Sequence, residues 1–301
     1  MQRWLIIGSG DVAQRMVAQM RRPQQLFCLC RDDESALRWR RLGAIPLRGD
    51  LDQPATLKRL SGLATVVFHF APPPAFGMKD TRTQHLVAAL SQGKSLPQSL
   101  IYISTTGVYG DCQGQQIDEV RPVRPQTDRA RRRVDAEQIL RRFGRRTGCR
   151  IVILRAPGIY AAERLPLGRL RQQPVVPLES QDPWTNHVHA LDLAQAAWRA
   201  QWRGGPQRVY NVVDDTRLTL GDYYALLALH FGLTPPARLP LETIREQVGE
   251  MNWSFMRESR QIANHRIKRE LAIAWYYPSV RRFLATLSGA VPEPSMTNKR
   301  V

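Results

Sequence analysis

Trp4-Leu5-Ile6-Ile7-Gly8-Ser9-Gly10-Asp11-Val12-Ala13, running on through Gln14 to Met20, decides the fold. An apolar run, a G-x-G-x-x-A turn and a helical stretch follow one another in the order that a strand-turn-helix unit needs to hold a dinucleotide pyrophosphate. Gly8 allows the tight turn, Gly10 lets backbone N–H groups approach the phosphates, and Ala13 is small enough for the helix to pack close to the strand. The helix start adds partial positive charge and free donors. Ser9, Asp11 and Val12 complete this candidate cofactor-binding turn.

Leu26 to Cys30 is a second apolar run, and it ends at Arg31, about twenty residues past the glycines, where the residue facing the adenosine ribose belongs. An acid there would bond the ribose 2′-hydroxyl of NAD. Arg31 offers a fork for a 2′-phosphate, so the expected cofactor is NADP(H) in preference to NAD(H). Two alternatives stay open: Arg31 caps a strand end and pairs with Asp32 or Asp33, or the register is off by one and Asp32 is the ribose contact.

The 301 residues suffice for one large α/β domain and a smaller lobe. No run of about eighteen apolar residues is present, and Met1-Gln2-Arg3-Trp4 lacks the apolar core of a signal peptide, so a cytoplasmic protein with no membrane partner is expected. Cys28, Cys30, Cys112 and Cys149 show no metal-binding spacing and read as buried thiols. No metal site is expected. The formal charge of +18 comes from 44 basic residues, of which only Lys58, Lys79, Lys94, Lys268 and Lys299 are lysine. The arginines are scattered as an arginine-biased genome would scatter them. Their densest stretch, Arg121 to Arg150, reads first as a solvated basic helix, then as a site for an acidic ligand. With no interleaved aromatics except Phe143 and no helix-turn-helix or zinc-finger pattern, nucleic acid is not the expected partner.

Strand and helix signals alternate along the chain: Leu5 to Ile7, Leu26 to Cys30, Ile45 to Leu47, Thr65 to Phe70, Leu100 to Ser104 and Ile151 to Leu154 read as strands. Between them lie helices through Met20, from Glu34 to Leu42, near Pro54 to Leu60, from Thr81 to Leu90 and from about Arg129 to Arg146. The pattern predicts an α/β fold, a doubly wound parallel sheet of the Rossmann type with a smaller C-terminal substrate lobe. Residues 1–160, completed by 184–214, form the dinucleotide-binding domain. Residues 161–183 and 215–290 form the lobe, with Val209 to Val213 a further strand and Leu218 to His230 a helix. Residues 291–301 are expected to be a disordered tail.

Downstream of the glycine turn, six ordered segments carry a family resemblance: Gly49-Asp50-Leu51; His69-Phe70-Ala71-Pro72-Pro73; Ser104-Thr105-Thr106-Gly107-Val108-Tyr109-Gly110; Arg155-Ala156-Pro157-Gly158-Ile159-Tyr160; Asn186 to Ala194; and Val209-Tyr210-Asn211-Val212. On these the chain resembles the extended short-chain dehydrogenase/reductase superfamily, in its NAD-dependent epimerase/dehydratase-like branch. The resemblance implies that Asp50 contacts adenine, with Leu51 beside it, and that Phe70, Ala71 and Pro72 pass behind the nicotinamide. Asp50 read without the resemblance is a helix cap ahead of Gln53-Pro54.

The departure from the family pattern concerns the catalytic pair. The resemblance implies a tyrosine that moves a proton, a lysine four residues later that lowers its pKa and holds the nicotinamide ribose, and a Ser/Thr that positions the substrate oxygen. Thr105 matches the last. With Glu137 as anchor, the lysine position falls at Arg133 and the tyrosine position at Arg129. A guanidinium stays protonated, so neither is a general base. Arg133 remains a cation for the ribose or pyrophosphate, and Arg129 a clamp for an acidic group. Tyr109, Tyr160, His187 and His189 are the stand-ins to weigh, each equally readable as packing or core. The expectation is a small-molecule enzyme, an epimerase, dehydratase or reductase acting on a nucleotide-sugar or other acidic compound, as monomer or homodimer. The alternative is a non-catalytic NADP(H)-binding redox sensor or scaffold.

Overall fold

The computed structural model describes residues 2–19, 25–172, 174–249, 253 and 256–287. Met20, at the end of the first expected helix, and the expected tail at 291–301 lie outside the described residues. Seven parallel strands form the central sheet: β1 (Arg3–Ile7), β2 (Gln25–Cys30), β3 (Ile45–Arg48), β4 (Val66–His69), β5 (Ser99–Thr105), β6 (Arg150–Ala156) and β7 (Arg208–Asn211), in the order 3-2-1-4-5-6-7. The chain begins in the middle of the sheet, builds outward to β3, and returns to place β4 on the other side of β1. That reversal opens a crevice at the carboxyl ends of β1 and β4, the place where doubly wound sheets bind ligands.

Side-chain alternation assigns the two faces. Trp4, Ile6, Cys28, Cys30, Ile101 and Ile103 point to one core, while Leu5, Ile7, Phe27, Leu29, Leu100 and Tyr102 point to the other. The first core is covered by α1 (Asp11–Gln19), α2 (Asp33–Arg41) and a later helix at Ala190–Arg203; the second by α3 (Thr81–Leu90) and α4 (Asp128–Thr147). Burial on both faces explains why β4, Val-Val-Phe-His, is apolar nearly throughout. All four cysteines are free and buried.

Capping fixes where the helices begin. Asp32 accepts a hydrogen bond from Ser35 N at 2.7 Å and starts α2, and Thr127 accepts from Ala130 N at 3.2 Å and starts α4, which ends at the left-handed Gly148. A separate apolar cluster gathers Tyr160, Leu165, Leu170, Val176, Leu227 and Phe283 around the helix Leu220–His230, beside the sheet's carboxyl edge. Among the described residues no helix is long and apolar enough to cross a membrane.

Candidate functional site

Gly8 sits at φ 99°, and a Cβ built there would lie 2.4 Å from Ala71 N and 2.7 Å from Phe70 C. The end of β4 presses directly on the turn, with Phe70 N and Ala71 N both donating to Ile7 O at 2.7 and 2.9 Å. Glycine is therefore required by conformation and by space together. Gly10 is different: a Cβ there would meet nothing within 4 Å, so this side of the turn is open. The turn is also pinned from behind. Ser9 O accepts from Trp39 Nε1 and from Gln14 Nε2, both at 3.2 Å. Trp39, thirty residues away on α2, carried no signal for this role in the sequence.

A cleft of about 430 Å³ opens in front of the turn. Its walls bring together Gly8, Ser9, Gly10, Asp11, Val12 and Ala13 with Arg31, Asp50, Leu51, Phe70, Ala71, Pro72 and Arg133. Arg31 is exposed on this wall, whereas Asp32 is committed to its helix cap, and hydrogen bonds from Ser35 hold its carboxyl below the usual range. Asp50 does not cap the short helix at Pro54–Leu60, whose cap residue is Gln53; its Oδ1 accepts from Asp52 N at 3.0 Å. Asp11 is balanced by Arg15 Nε at 2.7 Å and Arg164 Nε at 3.7 Å. The residues present fit a dinucleotide: free space over Gly10, a helix start behind it, and the cations Arg31, Arg133 and Arg164 around it.

A second cleft, of about 610 Å³, shares Pro72 and Arg133 with the first. Thr105 and Arg129 line it. Thr105 Oγ1 accepts from Gly107 N at 3.2 Å, which fixes the side chain and leaves its own proton for a ligand. Arg133 Nη1 donates to Tyr102 Oη at 3.0 Å and Ile103 O at 2.8 Å, holding the guanidinium beneath the strand ends. Its helix is anchored by Glu137, which is buried and accepts Ser104 Oγ at 2.7 Å and both Nε and Nη2 of Arg155 at 3.0 and 2.7 Å. The expected solvated basic helix is thus corrected in part. Arg132 is buried and donates to Gly77 O, and Arg132 and Arg133 both line the cleft, because this face of α4 packs beside the strand ends.

Among the described residues the cleft carries Arg129, Arg132, Arg133, Arg169 and Arg260 against one carboxylate, Glu258, whose Oε2 lies 2.7 Å from Arg260 Nη1. Its wall opposite α4 is aromatic: Trp184, His187, Tyr223 and Tyr224. The sequence reading missed Arg169, Tyr223, Tyr224, Glu258 and Arg260, since they lie in segments with only generic apolar and arginine content. Nothing local marks them.

Three of the weighed stand-ins do not reach either cleft. Tyr109, expected among the catalytic residues, is 1% exposed, donates to Asn211 Oδ1 at 2.8 Å and lies under the Arg155 guanidinium, 4.8 Å from it. It is a core residue, drawn inward by the turn after β5, and burial pushes its phenol up. Tyr160 donates to Asp214 Oδ2 at 2.9 Å, and His189 Nδ1 caps the helix at Ala190–Arg203 by accepting from Leu191 N at 3.2 Å. His187 is the exception, on the second cleft's wall, with burial pushing it down to about 4.

The profile of the NAD dependent epimerase/dehydratase family matches residues 8–212. A ketoreductase of Stigmatella aurantiaca, 4-hydroxy-2-methyl-3-oxo-4-farnesyl-3,4-dihydroquinoline-1-oxide ketoreductase, is 24% identical over 273 residues, covering 84% of this chain and 81% of its own. Among solved structures, a conserved protein of unknown function from Silicibacter pomeroyi is 26% identical with a TM-score of 0.76, over 95% of this chain and 98% of that one. The dTDP-glucose 4,6-dehydratase of Streptomyces venezuelae, solved with NAD bound, is 18% identical with a TM-score of 0.75, over 95% of each chain. The UDP-glucose 4-epimerase of Thermotoga maritima is 17% identical with a TM-score of 0.75, over 94% of this chain and 96% of its own. Sharing their sheet and matched by the family profile from the glycine turn to the end of the seventh strand, the chain belongs to the NAD dependent epimerase/dehydratase family.

Proposed function

We propose that this protein is an NADP(H)-dependent reductase or epimerase of a small acidic carbonyl or hydroxyl compound, with nucleotide-sugars one class of candidate. The observation that carries the reading is the pair of adjoining clefts: a glycine-turn cleft with Arg31 on its wall, joined at Pro72 and Arg133 to a cleft with, among the described residues, five arginines and one acid. A relative named as a ketoreductase supports the reducing direction. When bound, the cofactor supplies or takes up a hydride at its nicotinamide ring.

The chain's own residues then have separate tasks. Arg31 pairs with the 2′-phosphate and favours NADP(H) over NAD(H). Arg133, held by Tyr102 and Ile103, presents its remaining donors at the boundary of the clefts, where a cation suits the ribose or pyrophosphate. Arg129 clamps the acidic group of the substrate, and the Thr105 hydroxyl donates to its reacting oxygen. Residues 1–160 and 184–214 hold the cofactor, and residues 161–183 and 215–290 select the substrate.

Titration with NADPH and NADH, followed by nicotinamide fluorescence at moderate salt, tests the reading. Tight, NADPH-preferring binding supports it, and Arg31→Ala should then weaken NADPH at least tenfold while leaving NADH within about twofold, the loss of roughly 1.5–3 kcal/mol expected for a charge-assisted contact. Failure to bind either cofactor would overturn it.

A further inference from the structure

Six tyrosines are buried among the described residues: Tyr102, Tyr109, Tyr160, Tyr210, Tyr223 and Tyr224. Five of their hydroxyls are bonded. Tyr102 accepts from Arg133 at 3.0 Å, Tyr109 donates to Asn211 at 2.8 Å, Tyr160 to Asp214 at 2.9 Å and Tyr210 to Glu270 at 3.0 Å, while Tyr224 accepts from Arg169 at 3.2 Å. Tyr223 is 7% exposed, and its hydroxyl has no hydrogen-bond partner among the described residues. It lines the second cleft with Thr105 and Arg133. Its ring is buried, while its unbonded hydroxyl keeps some contact with solvent on the cleft wall, where a ligand oxygen can take the place of water.

The ring is firmly held. It stacks on His187 with centroids 4.2 Å apart at 29° and meets Tyr224 edge-on at 5.8 Å. Proton accounting shows what lies beneath it. The Thr185 hydroxyl gives its proton to Leu218 O at 3.1 Å, so at 2.9 Å its oxygen accepts from His187 Nε2. His187 is therefore a neutral imidazole with a fixed tautomer, a support for the ring rather than a charge under it. On the same cleft wall Glu258 is held by Arg260, and Tyr224, whose oxygen accepts from Arg169, keeps its own proton; Tyr223 is the phenol of this pair whose oxygen has no hydrogen bond among the described residues.

We propose that Tyr223, from the helix Leu220–His230, is the catalytic acid that protonates the substrate oxygen, a role the α4 position held by Arg129 cannot fill. The inference rests on reading the cleft as a site of carbonyl reduction. As the carbonyl carbon receives the hydride from the bound nicotinamide, the C=O electron pair moves onto oxygen. The Tyr223 Oη–H bond breaks as the new O–H bond forms on that pair, and the phenolate recovers a proton from water. Burial, with Tyr224 and Asp214 nearby, pushes the Tyr223 phenol up, so it holds its proton at neutral pH as a donor must.

A crystal structure of the full chain with NADP+ tests this without a known substrate. The Tyr223 hydroxyl is expected within roughly 5 Å of the nicotinamide C4, the span left when one reacting carbonyl lies between them. A hydroxyl farther away, or turned onto a protein acceptor, overturns the inference while leaving the cofactor reading intact; a structure and titration in which no nicotinamide binds overturn both. For a carbonyl acid that the full chain reduces, Tyr223→Phe keeps the ring stack and is expected to lower kcat at least about 100-fold with the NADPH Kd unchanged within twofold. A kcat within threefold of the parent overturns the assignment.

Discussion

At the scale of single residues the two glycines of the opening turn separate folding from binding. Gly8 needs its positive φ and has the backbone of Ala71 against it, so Gly8→Ala is expected to destabilise the fold by at least about 2 kcal/mol, read from the urea midpoint. Gly10 has open space where a methyl would go. Gly10→Ala should leave stability within about 1 kcal/mol and weaken NADPH binding at least tenfold, because the methyl takes the volume the phosphates need. An NADPH affinity within threefold of the parent in Gly10→Ala would show that the open space over Gly10 has no bearing on the cofactor. Both glycines were legible in the sequence, since their spacing is itself the signal. Trp39 was not: its bond to Ser9 O depends on α2 lying beside the turn.

At the scale of elements, α4 joins the two clefts. Its inward face carries Arg129 and Arg133 one helical turn apart, with Ala136, Leu140 and Phe143 continuing into the core below the strand ends. The buried pair of Glu137 with Arg155 locks this helix to β6. Removing one partner strands the other charge, so Glu137→Ala is expected to cost about 3–5 kcal/mol in denaturant unfolding. A loss under about 1 kcal/mol would mean that Arg155 regains water and the pair does not set the helix position. The extent of α4 was legible to within a residue or two from its arginines and alanines. That Arg129 and Arg133 belong to the site was legible by the anchor at Glu137, but that Arg132 also turns inward was not, because a run so rich in one residue type has no polar-apolar contrast to phase it.

At the scale of the molecule, buried acids tie the sheet to the cluster beyond its carboxyl edge. Asp214 follows β7, accepts from Tyr160 and from Thr216 N at 2.8 Å, and is pushed up to about 7, chiefly by burial. Its folded pKa exceeds the unfolded value of 3.8, so its stabilising contribution is complete below about pH 4 and is lost as pH rises to about 7. Asp214→Asn removes that dependence. Relative to the parent, the variant should gain up to about 1.4 kcal/mol per pH unit between pH 5 and pH 7, then level off, in urea titrations at each pH. A constant difference across that window would show that the carboxyl is not held neutral in the fold.

The sequence by itself determined the sheet, its helices, the glycine turn and the residues at the ends of β1, β2 and β4, because each rests on a signal contained within a few neighbouring residues: apolar runs, capping, a three-position spacing. Those strand ends converge whenever a doubly wound sheet forms, so the first cleft was legible almost entire. The second cleft was legible only in Thr105, Arg129, Arg133 and the candidate His187; the rest of it was decided by the tertiary structure. Tyr223 stacks on His187, the Glu258–Arg260 pair comes to line the same cleft as Arg129, and Tyr109 turns into the core to reach Asn211, each through the meeting of segments tens of residues or more apart. Such meetings leave no local periodicity, and their energy comes from burial and pairing that exist only once the chain has closed on itself.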